Sequence, residues 1–307
     1  EAVARKAIEA AGGEVLELGA GTGTLAAQIL AELERLRCLP ARYLILELGP
    51  ELKDRQRATL DGLPEEISRR VQWLEALPET FKGVIVANEV LDALPVHRIA
   101  WREQGAVEMG VGWRDGRFHW SEHALGPGSL RDVAQSIGAA PGYESEISLA
   151  GPALIRTLAE RLNAGLLLFI DYGFGRSEFY HPQRSRGTLM CHYRHRAHGE
   201  VFIHPGLQDI SAHVEFSALA EAGMESGLDL LGYTTQAQFL INCGITDLLS
   251  RMPADHPGSY LPLAAGVQKL LSPSEMGELF KVLALGKALP PPLRGFRSGD
   301  KSRLLGS

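Results

Sequence analysis

The chain has 307 residues, enough for one large domain with insertions, since single cores stop growing at about 250 to 300 residues. Hydrophobic residues at 45% and charged residues at 22% exclude a disordered or fibrous protein. The net charge of -6, from 31 basic and 37 acidic residues, argues against a protein that tracks nucleic-acid phosphates; the one basic stretch lies around Arg184 to Arg196.

The first half alternates strand-like and helix-like segments, the pattern of a parallel sheet under helices. Residues 14–19 read as a buried strand, and 24–36 as a helix with Leu25, Ile29, Leu33 and Leu36 on its apolar face. A second strand at 42–48 precedes a helix at 50–60 with Pro50 in its first turn. A short third strand is expected at 71–77, and a fourth from 83 that turns polar at Asn88. Residues 97–123 alternate apolar and polar side chains around the turn signal "RDGRF", which predicts an inserted antiparallel hairpin region extending to about 150. A helix over 151–165 with Gly165 as its stop leads to a buried strand at 166–173, and a long loop runs from 174 to 212. A helix at 214–227, a sixth strand at 228–235, helices at 236–245 and 260–271 and an ambiguous segment at 278–287 complete the chain. If that segment is a strand, an α/β domain of about seven strands results, mostly parallel with an antiparallel last strand.

Three widely spaced cysteines, Cys38, Cys191 and Cys243, fit a reducing compartment better than a disulfide framework. Apolar runs such as 166–170 fall far short of the roughly 20 residues that span a bilayer, so a soluble protein without membrane insertion or signal peptide is expected. The chain opens on Glu1 rather than methionine, and a preceding piece is expected.

Chemistry enters at "VLELGAGTG", residues 15–23. A dinucleotide fingerprint needs a third glycine where Thr24 stands, and an acid about 20 residues on; Glu47 comes later than that. Glu17, just ahead of the turn, would repel a pyrophosphate but suit a cation. S-adenosyl-L-methionine carries a sulfonium and an ammonium and no phosphate. On this reading Gly19, Gly21 and Gly23 allow close backbone approach, Glu17 favours the cationic end, Glu47 accepts the ribose hydroxyls, and Glu75 reaches the adenine side. The alternative is that Glu17 and Glu47 are merely exposed acids at strand ends. The motif E-x-G-x-G-x-G with a distant acid signals a class I, Rossmann-like methyltransferase.

Longer motifs add a family. "ANEVLDALPVHRI" (87–99), "FIDYGFG" (169–175), "HPGLQDISAHVEF" (204–216), "TQAQFL" (235–240) and "GELFKVLAL" (277–285) together resemble the MidA family of methyltransferases. The resemblance runs from about residue 14 to the C-terminus and implies a class I methyltransferase fold with inserted elements. It also implies S-adenosyl-L-methionine as cofactor, S-adenosyl-L-homocysteine as product, and a protein substrate methylated on arginine, with a respiratory complex I subunit as the partner. The family usually has a serine in the second-strand motif where this chain has Gly49.

An arginine acceptor must be held by carboxylates that bias its charge and take up a proton. Glu89 and Asp92, three residues apart at a strand-to-helix corner, are the candidate catalytic pair, with Asn88 orienting the methionine end. Asp92 also suits a helix cap, Glu89 an ion pair, and Asn88 a turn. His213 is a candidate for lining the acceptor channel or for tying its loop to the sheet. Asp171, Tyr172 and His195 are candidates for holding substrate, while Tyr172 also suits the core. The set Cys191, His192, His195 and His198 matches no standard zinc spacing, so no metal is expected. A cofactor-binding assembly factor and a methyltransferase for a small molecule or RNA stay open beside the arginine reading. The location follows the source: cytoplasm, or mitochondrial matrix in a eukaryote.

Overall fold

The computed structural model describes residues 13–194, 196–250, 257–289 and 292–306. Strand β1 (Glu14–Leu18) runs through the glycine turn into the helix Thr24–Arg35, and β2 (Arg42–Leu46) into the helix Pro50–Leu60; β3 (Val71–Leu74) and β4 (Phe81–Asn88) follow. β1 pairs in parallel with β2 and β4, and β2 with β3. Their runs of Val, Leu, Ile and Ala are covered on both faces, as a parallel sheet between helix layers requires. The first helix buries Ala26, Leu30 and Leu33, whereas Leu25 is exposed. Its buried face thus shares Leu33 with the expected stripe and adds Ala26 and Leu30 in place of Leu25.

The chain then leaves the main sheet. β5 (His97–Arg102), β6 (Gly105–Arg114), β7 (Arg117–Ala124) and β8 (Glu144–Ile147) form an antiparallel sheet in the order β7-β6-β5-β8. Asp115 and Gly116 have φ of +51° and +74°, the backbone that a two-residue hairpin turn demands. This sheet has its own small core, in which Ile99, Trp101, Tyr143 and Ile147 pack with Ala134 of the helix Ser129–Ile137.

A helix, Ala150–Arg161, passes directly into β9 (Leu162–Phe174). Gly165 is thus no helix stop. It sits inside the strand at φ +137°, opposite Gly83 of β4, and a Cβ there would overlap the Gly83 carbonyl oxygen. Nor is 174–212 a simple loop: a turn of helix at Arg176–Phe179 precedes β10 (Met190–Tyr193), β11 (Arg196–His198) and β12 (Asp209–Ser211), which form a sheet in the order β11-β10-β12. Strands of three or four residues are too short to show an alternating pattern, which hid them from the sequence.

β13 (Val214–Glu215), the helix Phe216–Glu225, β14 (Asp229–Thr235), helices Gln236–Cys243 and Pro257–Leu271, and β15 (Phe280–Lys287) complete the order. β15 lies antiparallel between β14 and β9, so the main sheet reads β14-β15-β9-β4-β1-β2-β3, with β13 beside β9. The carboxyl ends of β1, β2, β4 and β9 meet along one edge, and both inserted sheets leave from it, after β4 and after β9. That edge is where open α/β sheets bind ligands. Among the described residues, no helix is long and apolar enough to cross a membrane.

Candidate active site

Gly19, Gly21 and Gly23 have φ of +66°, +53° and +82°, a region that side chains disfavour. A Cβ on Gly19 would lie 2.6 Å from Val90 Cγ2, whereas one on Gly21 would meet nothing within 4 Å. The loop is pressed against the turn after β4 on one side and open on another.

Glu47 lies one residue past β2. Its Oε1 accepts from the Gly49 N–H at 2.7 Å and its Oε2 from Gln56 Nε2 at 2.9 Å. Gln56 also donates to the Gly21 carbonyl at 3.0 Å, and its Oε1 accepts from Trp73 Nε1 at 2.9 Å. One fully buried amide thereby joins the glycine loop, the second-strand acid and β3. Sequence reasoning missed Gln56, since it sits in a helix read only as polar-faced; its signal is the lone glutamine in that run of charged residues.

Two acids are placed otherwise than expected. Glu17 does not open onto the cleft: it is buried under the loop and accepts from the Tyr43 hydroxyl at 2.7 Å. Burial pushes its carboxyl above the usual range, and the tyrosine bond partly offsets this. Glu75 is not on the Glu47–Gln56 network; its side chain is 82% exposed and lies 3.4 Å from Lys53.

The turn after β4 carries the other candidates. Glu89 is exposed at φ +51°, its N–H bonded to the Ile170 carbonyl at 2.9 Å, and Asn88 Nδ2 donates to its Oε1 at 3.2 Å. Such a backbone costs on the order of 1–3 kcal/mol and must be held from outside. Asp171 holds it: Oδ2 accepts from the N–H groups of Val90, Leu91 and Asp92 at 3.2, 2.9 and 3.3 Å, while Oδ1 accepts from Tyr172 N–H at 2.9 Å. Expected to hold substrate, Asp171 is a buried clamp instead; burial and then the nearby Asp92 push its pKa up to about 7. Asp92 Oδ2 accepts from the Tyr172 hydroxyl at 2.5 Å, and that hydroxyl lies 2.6 Å from Ser211 Oγ. Asp92 Oδ1 is buried without a hydrogen-bond partner among the described residues.

The family model described as S-adenosyl-L-methionine-dependent methyltransferase matches residues 2–234. The chain belongs to this family. A COG1565 superfamily member from Burkholderia thailandensis, crystallised with S-adenosyl-homocysteine, is 48% identical with a TM-score of 0.94, over 98% of this chain and 78% of that one. Protein arginine methyltransferase NDUFAF7, mitochondrial, from Mus musculus is 28% identical over 89% of this chain and 66% of its own length; the Homo sapiens protein is 27% identical over the same shares. The chain thus spans about two thirds of the length of these curated relatives.

As a methyltransferase of the class I, Rossmann-like fold with S-adenosyl-L-methionine as cofactor, the chain has a fitting cradle. An open glycine, an acid just past β2 and a buried acid beneath suit a cationic nucleoside without phosphate. Beside Asp92 the methyltransferase has a groove of about 520 Å³ between its two inserted sheets, lined among others by Asp92, Ser211, Trp120 and Phe202.

His213 does not line this groove. Its ring is wedged edge-on between Tyr172 and Phe174, at 5.2 Å from each, and faces a second cavity of about 530 Å³ with Tyr180 and Glu215. Burial, then Arg184 and Lys281, lower its pKa to about 4, so it is neutral at ordinary pH. Tyr172 packs on His213 and Phe280 and also bonds Asp92, so it serves both core and site. His195 lies outside the described residues.

Proposed function

We propose that this methyltransferase transfers methyl groups to an arginine of a protein, a respiratory complex I subunit or a similar protein, in the mitochondrial matrix of a eukaryote or the cytoplasm of a bacterium. Support comes from the names of its mitochondrial relatives and from one feature of the site. That feature is Asp92 in the lining of the groove, held in place by Tyr172 through Oδ2, with a buried Oδ1 that has no hydrogen-bond partner among the described residues. A buried acceptor without a donor costs about 1–3 kcal/mol, which an incoming N–H group recovers.

Gly19, Gly21 and Gly23 would let the cofactor approach the backbone, Glu47 would accept from its ribose hydroxyls, and Asn88 would orient its methionine end. Glu17 would act from beneath as a source of negative potential, and Glu75 at the outer rim. When bound, the cofactor supplies an electrophilic methyl group on a sulfonium. The acceptor guanidinium has a pKa above about 12, so a carboxylate must draw its charge toward the nitrogens that do not react. Asp92 suits that role and, being braced, needs little reorganisation. Glu89, which is exposed, would take the released proton and pass it to solvent.

The test is transfer of label from S-adenosyl-L-methionine to a lysate lacking the endogenous enzyme, followed by mass spectrometry. Methylarginine in one or a few proteins is the expected result, and Glu89→Gln should lower its formation about a hundredfold while cofactor binding holds. Label found only in small molecules or RNA would sink the reading.

A further inference from the structure

The groove beyond Asp92 is bounded by two sheets that the methyltransferase fold does not need, and its walls are aromatic. On the β6–β7 hairpin, Val111 pairs with Trp120 and Trp113 with Phe118, so the four side chains share one face. Val111, Trp113 and Phe118 are 59%, 63% and 40% exposed. Across the groove, Ile210 of β12 is exposed as well. Phe202 joins the banks, with ring centroids 5.0 Å from Trp120 and 6.1 Å from Phe118. A continuous apolar surface of this kind, beside a reaction centre, marks a place where something docks.

We propose that this groove docks an extended polypeptide segment that sends one cationic side chain toward Asp92 and lays apolar residues on the aromatic banks. The inference rests on the reading of the acceptor as a protein, and deepens it. Charge selects the occupant: the lining holds Asp92, whose Oδ1 has no hydrogen-bond partner among the described residues, and Glu108, which is bonded to His97 Nδ1 at 2.6 Å. Arg98, the cation in the lining, is already paired with Glu144 at 2.8 Å. Its guanidinium lies 4.6 Å from the Trp120 ring centroid, so the wall already accommodates the planar cation that a substrate would bring. Backbone pairing selects the conformation. β7 and β12, one on each bank, are both outer strands of their sheets among the described residues, and an outer strand accepts an extended segment through its main chain.

The probe is the capped peptide Gly-Leu-Phe-Gly-Arg-Gly-Phe-Leu-Gly, titrated into the full chain saturated with S-adenosylhomocysteine and followed by calorimetry. Measurable binding is expected. Trp120→Ala and Phe202→Ala should each weaken it about tenfold, Trp120→Phe should largely retain it, and norleucine in place of arginine should again cost about tenfold. Affinity for S-adenosylhomocysteine should not change in any of these variants, which also reports that they fold. No peptide binding, equal binding to Trp120→Ala, or equal binding of the norleucine peptide would overturn the proposal. So would a dimer in sedimentation that dissociates on Trp120→Ala, since the face would then belong to a second copy. Because binding and not turnover is measured, absence of methylarginine in the lysate experiment would remove the arginine reading while this result stood or fell by itself.

Discussion

At Gln56 the orientation of an amide is set by a neighbour that can only donate. Trp73 Nε1 requires the amide oxygen, so Nε2 must face Glu47 and the Gly21 carbonyl. Gln56→Leu would strip all three partners, and affinity for S-adenosylhomocysteine is expected to fall about tenfold, roughly one charged hydrogen bond. Calorimetry that finds the wild-type affinity would show that Glu47 and the loop need no such brace. His213 makes a different prediction. The unfolded chain protonates it near 6.5 and the folded chain near 4. Between those values the unfolded state carries the extra proton, so this residue makes stability fall as pH is lowered. Asp171 and Glu215, both raised to about 7, contribute with the opposite sign, so the effect must be read as a difference. The Tm gap between wild type and His213→Gln should shift in favour of the variant from pH 7 to pH 4.5; a gap independent of pH would mean that the ring is protonated in the fold. Glu47, Glu89 and Asp92 were legible as candidates because they stand at the ends of strands. Glu17 and Asp171 share that position, yet which side of the edge faces the cleft depends on neighbours such as Tyr43 and the turn at 90–92, which no local pattern contains.

Gly165 carries the lesson for elements. In the sequence it follows a helical period and so reads as a stop; in the sheet it allows β9 to lie against Gly83. Gly83 has the same relation to the Glu14 carbonyl of β1, so three adjacent strands depend on two missing Cβ atoms. Gly165→Ala is expected to cost about 3 kcal/mol or more, from strain at positive φ together with the overlap. Urea unfolding measures it, and a loss under about 1 kcal/mol would indicate that the strands can separate cheaply. Most strands and helices of the main sheet were legible, because each buries a long enough run to show its period; the segment 278–287 stayed ambiguous until its pairing with β14 and β9 made it a strand. β10 to β12 were not, since their pairing joins residues far apart in sequence: Met190 with Ser211, for example.

For the whole molecule, the two insertions meet at the Phe202 ring. A double-mutant cycle on Trp120 and Phe202, read by urea unfolding, should return an interaction of about 0.5–1.5 kcal/mol, the range for an aromatic pair. A value near zero would mean that the inserted sheets are energetically independent and merely adjacent. The sequence by itself determined the sheet class, the cofactor and the family, because a strand–glycine–helix junction and runs such as "NEVLDALPVH" are local in the chain and their chemistry is local too. Only the tertiary structure decided which acids are buried as clamps and which stay exposed, that His213 lines another cavity, and that two insertions close into a groove. Burial, electrostatic coupling and ring packing arise between elements, and they exist only once those elements are brought together.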